Sequence, residues 1–113
     1  MTTHQDHGTM QECIAACQLC HDTCETTLTY CLDQGGAHAA AEHIQTLKEC
    51  IESCAKCTTA MQEMSPSVGA VCRECAERCN TCADSCAAFG EDATMQRCAE
   101  VCRACAQACE VMA

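Results

Sequence analysis

Four stretches of the chain carry the periodicity of a helix that faces a core, and in each the residue recurring every three or four positions is cysteine. Cys72, Cys75, Cys79, Cys82 and Cys86 fall at spacings of 3, 4, 3 and 4. At about 100° per residue these positions fan across roughly 80° of a helix, so every thiol faces one way. Cys13, Cys17, Cys20 and Cys24 repeat the phase, and Cys31 lies one heptad further on. Cys50, Cys54 and Cys57 repeat it again, as do Cys98, Cys102, Cys105 and Cys109. The pattern predicts four helices, each with a sulfur stripe the width of a bundle's inner seam, and leaves no cysteine over.

Local signals set the expected boundaries. Thr9 followed by Glu12 makes a capping box, so the first helix is expected from about Met10 to Asp33, where Gly35 and Gly36 stop it. Residues 1–8 read as a flexible tail; His4 and His7, three apart, are either an ordinary polar terminus or a weak metal-capturing arm. The second helix is expected from near His38, through the alanines at 39–41, to Met64. Ser65 and Pro66 form an N-cap and N1 pair that ends this helix and starts the third almost without a loop. The third then runs to about Phe89 with Gly90 as its C′ residue, and the fourth from Asp92 to Met112. Connections this short force neighbours antiparallel, so the fold class is an all-α, up-down-up-down four-helix bundle over residues 9–113.

That topology sorts the remaining inward residues by end. Met10, Met61, Met64 and Met112 gather at one mouth, which becomes a candidate access path lined by thioethers. Cys31, Cys86 and Cys98 lie toward the other mouth with His38, His43, Ile44, Leu47, Phe89 and Met95. The first half of the second helix has no cysteine; His43 and Leu47 hold the inward phase instead. His43 is either a ligand or a cap on the core, and His21 lies on the flank of its stripe.

Composition would point elsewhere without the cysteines. Ile, Leu, Val and Phe number only 12 of 113 residues and the formal net charge is -10, a combination typical of disorder. Seventeen cysteines and 19 alanines change that reading. A protonated thiol is a small, readily buried hydrophobe, and alanine favours helix and close approach between helices. A core of such small groups is thin, so the empty bundle is expected to be only modestly stable and to gain from a ligand or from oligomerisation. The acidic balance argues against nucleic acid and anionic membranes as partners. No apolar run is long enough to span a membrane and the first residues lack the marks of a secretion signal, so a reducing cytosol is the expected compartment.

Seventeen inward thiols narrow the chemistry. Side chains three or four residues apart on a helix have Cβ atoms about 5–6 Å apart, too far for an unstrained disulfide, and 17 is odd. A bundle that needed only packing would use leucine, which buries more area and does not oxidise. Structural zinc usually takes paired CxxC knuckles on turns, and ferredoxin-type clusters use C-x2-C-x2-C-x3-C-P; neither pattern occurs. Cu(I) asks for less, because it is soft and is satisfied by two or three thiolates that bridge freely. The CxxxC pairs are the natural primary sites: Cys13 with Cys17, Cys20 with Cys24, Cys50 with Cys54, Cys75 with Cys79, Cys82 with Cys86, Cys98 with Cys102, and Cys105 with Cys109. Buried thiolates without cations are prohibitive, so the empty core holds thiols, and each Cu(I) replaces one proton. A near-neutral core then implies a capacity on the order of 17 Cu(I), multiplicity that indicates storage rather than delivery. Candidate ligands are thus all 17 cysteines together with Met61, Met64 and His43. Two other readings stay open: a general buffer for zinc, cadmium or mercury, and a thiol redox relay, which requires an exposed cysteine of lowered pKa.

MQECIAACQLCHDTC, HAAAEHIQTLKECIESCAKC, VCRECAERCNTCADSC and MQRCAEVCRACAQACEVMA together resemble the bacterial copper storage proteins, specifically their cytosolic branch, over about residues 10–112. The resemblance implies a homotetramer of cysteine-lined four-helix bundles that holds many Cu(I) ions and catalyses nothing. It carries the family's ligand role onto the cysteines named above, and it leaves copper donor or acceptor proteins as possible partners. Exported relatives have a signal peptide that is not found here, and the methionine cluster resembles their soft opening.

Overall fold

The computed structural model describes the backbone of residues 2–113 and the side chains of residues 8–113. Four helices follow in order: α1 Thr2–Gln34, α2 Ala41–Gln62, α3 Val68–Ala87 and α4 Ala93–Met112, with a short 3-10 turn, Gly36–Ala39, between α1 and α2. Helices adjacent in sequence pack against one another, and α1 closes the square against α4. The longest dimension, 51 Å, matches the 33 residues of α1 at about 1.5 Å per residue. Among the described residues there is no strand, so the all-α antiparallel bundle expected from the spacing is the fold.

The connections differ from expectation in instructive ways. α1 begins at Thr2 instead of near Met10, so Thr9 and Glu12 sit inside the helix and make no cap. Nothing in the sequence before them forbids helix, and extending an existing helix adds a backbone bond for each residue ordered. The side chains of His4 and His7, the proposed metal-capturing arm, lie outside the described residues. α1 stops where expected, with Gly35 and Gly36 at φ 71° and 55° and the Gly35 amide donating to the Cys31 carbonyl at 3.2 Å. His38 does not start α2. Its Nε2 lies 2.9 Å from Asp92 Oδ2 and its ring lies 4.2 Å from that of Phe89, which draws the turn toward the α3–α4 junction. Ala40, extended at ψ 139°, then breaks the alanine run before α2 begins.

At the other end of α2, Met64 sits at φ 52° in the left-handed region. The Met64 amide donates to the Met61 carbonyl at 3.1 Å and the Ser65 amide to the Ala60 carbonyl at 2.9 Å. This pair of bonds is a Schellman closure with methionine where glycine is usual. The chain then makes one more turn, in which the Ser65 carbonyl accepts from the Val68 amide at 3.2 Å, so the expected start of the third helix at Ser65–Pro66 is displaced. α3 starts at Val68 instead, after a turn in which Ser65 Oγ accepts from the Ser67 amide at 3.2 Å. α3 ends at Ala87 with Ala88 as its C-cap, short of the expected Phe89, and Gly90, at φ 68°, falls in the turn beyond instead of at C′. Asp92 caps α4 by accepting from the Met95 amide at 3.2 Å.

Candidate metal centre

All 17 cysteines are free and buried, with no accessible surface. The stripe arithmetic therefore holds for every helix, and the core is a column of sulfur. Its centre is dense: Cys20 Sγ lies 3.7 Å from Cys102, 3.8 Å from Cys50, and 4.0 Å from Cys24 and Cys79. Cys24 approaches Cys102 at 3.6 Å and Cys98 and Cys50 at 3.8 Å. Toward the Met61 end, Cys109 stands 3.7 Å from both Cys13 and Cys17, and Cys105 is 3.7 Å from Cys17. Cys57 and Cys72 are 3.2 Å apart.

Most of these approaches run between helices. Within helices, the CxxxC pairs Cys20–Cys24 and Cys75–Cys79 close to 4.0 and 3.9 Å. The pairs favoured by spacing are thus embedded in a network that the bundle, rather than any single helix, creates. Three donors about 2.3 Å from a shared ion stand roughly 3.9 Å from one another. The sulfurs already have that spacing, so little rearrangement separates the empty column from a filled one.

The bundle also corrects one argument made from single helices. A helix holds its thiols in a row, but four helices converge, and quartets such as Cys20, Cys50, Cys54 and Cys79, or Cys24, Cys82, Cys98 and Cys102, have all four sulfurs within 4.8 Å of one another. Tetrahedral thiolate sites are therefore geometrically available. Charge separates the two cargoes. A divalent ion among four thiolates leaves a net charge of about −2 in a dry interior, at a desolvation cost of several kcal/mol or more for each site. Cu(I) at one ion per thiolate leaves none. Quartets also share members, Cys20 appearing in one with Cys54 and Cys79 and in another with Cys24 and Cys102, and shared sulfur suits an ion that accepts bridging ligands.

Hydrogen bonds from neighbouring thiols lower Cys13, Cys20, Cys50, Cys75, Cys98 and Cys105 and raise their partners, but burial opposes charge on each, so the empty column is expected to keep its protons, shared among neighbours. Burial is the largest influence on Cys72 and raises its pKa. Hydrogen bonds to Cys82 and Cys98, then burial, raise that of Cys86. Burial followed by the nearby Cys98 and Asp92 pushes Cys31 up to about 11. Hydrogen bonds among thiols decide which neighbour keeps a shared proton, whereas desolvation opposes charge on all of them. No cysteine is exposed as a redox relay requires.

The two ends depart from the column and from each other. At one, Met61 is buried while Met10 and Met112 pack partly against the core. Met64 is not brought in: the left-handed backbone turns it outward and leaves it 75% exposed. At the other end, Cys31, His43 and Met95 meet. His43 Nε2 is 3.4 Å from Cys31 Sγ, and Cys31 Sγ is 3.6 Å from Met95 Sδ. His43 is held from behind by Ser85 Oγ, 2.7 Å from its Nδ1, and burial holds the ring neutral. Spacing placed His38, His43, Phe89 and Met95 at this mouth but gave no hint of Ser85 or of the Tyr30–Asp92 bond above them. There Asp92 Oδ2 accepts from Tyr30 Oη at 2.7 Å and lies 2.9 Å from His38. Thr27 also escaped notice, although it fills the stripe position between Cys24 and Cys31. It is 2% exposed and its hydroxyl donates to the Thr23 carbonyl at 2.8 Å. His21 lies at the half-exposed flank beside Asp22 and Glu25.

A helical bundle whose interior is reduced sulfur from end to end belongs to the class of proteins that take up soft metal ions in number. A sequence profile of the Csp family, copper storage protein, matches residues 6–113, and this chain belongs to that family. It is similar to Nmul_A1745 of Nitrosospira multiformis, 36% identical with a TM-score of 0.88 over 94% of this chain and 95% of the other. It is also similar to the Cu(I)-bound copper storage protein BsCsp3, 33% identical with a TM-score of 0.86 over 93% and 98% of the two chains. Apo-Csp3 of Bacillus subtilis gives 32% and 0.80 over 90% and 96%. An uncharacterised cysteine-rich protein of Bacillus subtilis, YhjQ, is 35% identical across 73% of this chain and 76% of its own length.

Proposed function

We propose that this protein stores and buffers Cu(I), holding many ions per chain on its core thiolates and contributing to copper homeostasis by binding rather than turnover. The observation that carries the reading is the continuous column of 17 buried, unpaired thiols, which only a monovalent soft ion neutralises one for one. Its similarity to a Cu(I)-bound relative supports the same cargo. We place the protein in the cytosol, where thiols stay reduced, and expect the homotetramer that the family resemblance implies. No described helix is long and apolar enough to cross a membrane. The 17 cysteines, with Met61 and His43, are the ligand set we propose; Met64, directed to solvent, contributes least.

Anaerobic titration with Cu(I) against a competing chelator, followed by native mass spectrometry and far-ultraviolet circular dichroism, tests this. Storage predicts a helical apoprotein that fills to a number of ions in the teens. The thiol quartets favour a second reading, a tetrahedral zinc or cadmium buffer, which predicts saturation near four divalent ions. Uptake of one or two cuprous ions refutes storage.

A further inference from the structure

The Cys31 end of the bundle does not continue the column. In the layer between, the stripe positions of α1 and α2 are held by Thr27 and Leu47, both buried, instead of by thiols. Beyond that layer Cys31 has a different company: its Sγ lies 3.4 Å from an imidazole nitrogen and 3.6 Å from a thioether sulfur. Nitrogen and sulfur donors about 2.0–2.3 Å from a shared ion stand roughly 3.5–3.9 Å apart in trigonal coordination. The two measured separations reach that range with shifts of a few tenths of an ångström.

We propose that Cys31, His43 and Met95 form a separate, mixed-donor Cu(I) site at this end of the bundle, the one from which the ion exchanges first. The proposal rests on the storage reading and assigns Met95 as a ligand and Ser85 as a positioning residue. Binding replaces the Cys31 thiol proton with Cu(I), so one proton leaves and the filled site is neutral. His43 Nε2 then needs a free lone pair, which requires its proton on Nδ1. The Ser85 hydroxyl at 2.7 Å accepts from Nδ1–H in the filled state and donates to bare Nδ1 in the other tautomer, so either form of His43 is held in place. A lone thiolate with one imidazole and one thioether binds cuprous ion less tightly than sulfurs bridged among several ions. The column's ions share thiolates, whereas the hydrogen-bonding partners of the Cys31 sulfur are an imidazole and a thioether. The site also lies close to solvent, beneath the Phe89 ring, whose centroid is 4.9 Å from that of His43, and His38 above it is only half-buried.

The test uses full-length protein carrying 13C-methyl methionine and 15N histidine, titrated anaerobically with Cu(I). At saturation the Met95 methyl and His43 Nε2 resonances shift, while those of Met64 and His21 do not; Met95→Leu and His43→Gln assign the signals. When the loaded protein is mixed with a cuprous chelator, a fast phase amounting to one ion per chain precedes slow release. Met95→Leu, near in size and apolar, abolishes that fast phase and keeps the slow ones, and Ser85→Ala broadens or moves the His43 signal. Val111→Ala, an exposed position at the opposite end, leaves the fast phase unchanged. A wild-type protein that fills into the teens with Met95 and His43 unmoved overturns this site and leaves storage standing, as does a fast phase that survives Met95→Leu. Uptake of only one or two ions overturns both.

Discussion

Neutrality of the column makes proton release the sharpest quantity to measure. If every core thiol is protonated before loading, each Cu(I) displaces one proton, and apparent affinity rises tenfold per ion for each unit of pH. That is about 1.4 kcal/mol per ion per unit. The discriminating condition is pH 8.5. There an ordinary thiol is about half ionised and would release roughly half a proton on binding. Thiols whose pKa is raised by burial, with Cys31 pushed up to about 11, remain protonated and release close to one. Calorimetric titration at pH 8.5 in two buffers of different ionisation enthalpy gives the number directly, after correction for the copper carrier. The expected result is about one proton per ion throughout the titration. A value near one half, or a value that starts low and rises as the column fills, refutes the premise that the empty core is uncharged.

The thiols that burial raises, Cys31 and Cys72, bear on stability. A group whose pKa is higher folded than unfolded stabilises the fold below the unfolded value and loses that contribution as pH rises through the folded one. The apoprotein is therefore expected to lose thermal stability from about pH 8.5 through about 11, while the loaded protein does not; melting curves read by circular dichroism at pH 7, 9 and 10.5 check this, and a flat apo series contradicts it. Cys20→Ala, which removes the sulfur nearest Cys24, Cys50, Cys79 and Cys102, is expected to cost more than one ion of capacity in native mass spectra, whereas Cys31→Ala costs one. Thr27→Cys completes the α1 stripe and is expected to add an ion. Met64→Gly removes the left-handed strain at φ 52° and is expected to stabilise the apoprotein by about 1 kcal/mol in urea unfolding.

The bundle and its inward sulfur were legible because one residue type carried the entire helical period, so phase could be read without ambiguity from Cys13 to Cys109. Boundaries were less legible where tertiary contacts decided them. His38 left α2 for Asp92 and Phe89, and the Schellman closure at Met64 is followed by a turn from Ser65 to Val68 that delays the start of α3. That closure also explains Met64 itself: spacing put it near the stripe, but a residue with positive φ no longer follows helical phase. Thr27 was hidden because a stripe defined by cysteine skips the positions that are not. Ser85 lies off the stripe of α3 altogether, and only the meeting of α2 with α3 brings it to His43.

A core built from thiols would be a poor choice for stability alone, since each buries less apolar surface than the leucine it replaces. What it offers is a set of donors already spaced for sharing before any ion arrives. Sulfurs 3.6–4.0 Å apart across helices are near the separation that a common ion imposes, so filling needs side-chain rotation rather than movement of helices, and little binding energy is lost to reorganisation. The comparison with relatives agrees: this chain superposes on a Cu(I)-bound protein with a TM-score of 0.86 and on an apo one with 0.80, so one arrangement of four helices is similar to both states. The scaffold is then a rigid holder in which protons and cuprous ions compete for the same sulfurs. On that view the energetic difference between empty and full lies in the bonds to sulfur, and the proton count at pH 8.5 reports how many thiol protons that exchange displaces, without interference from folding.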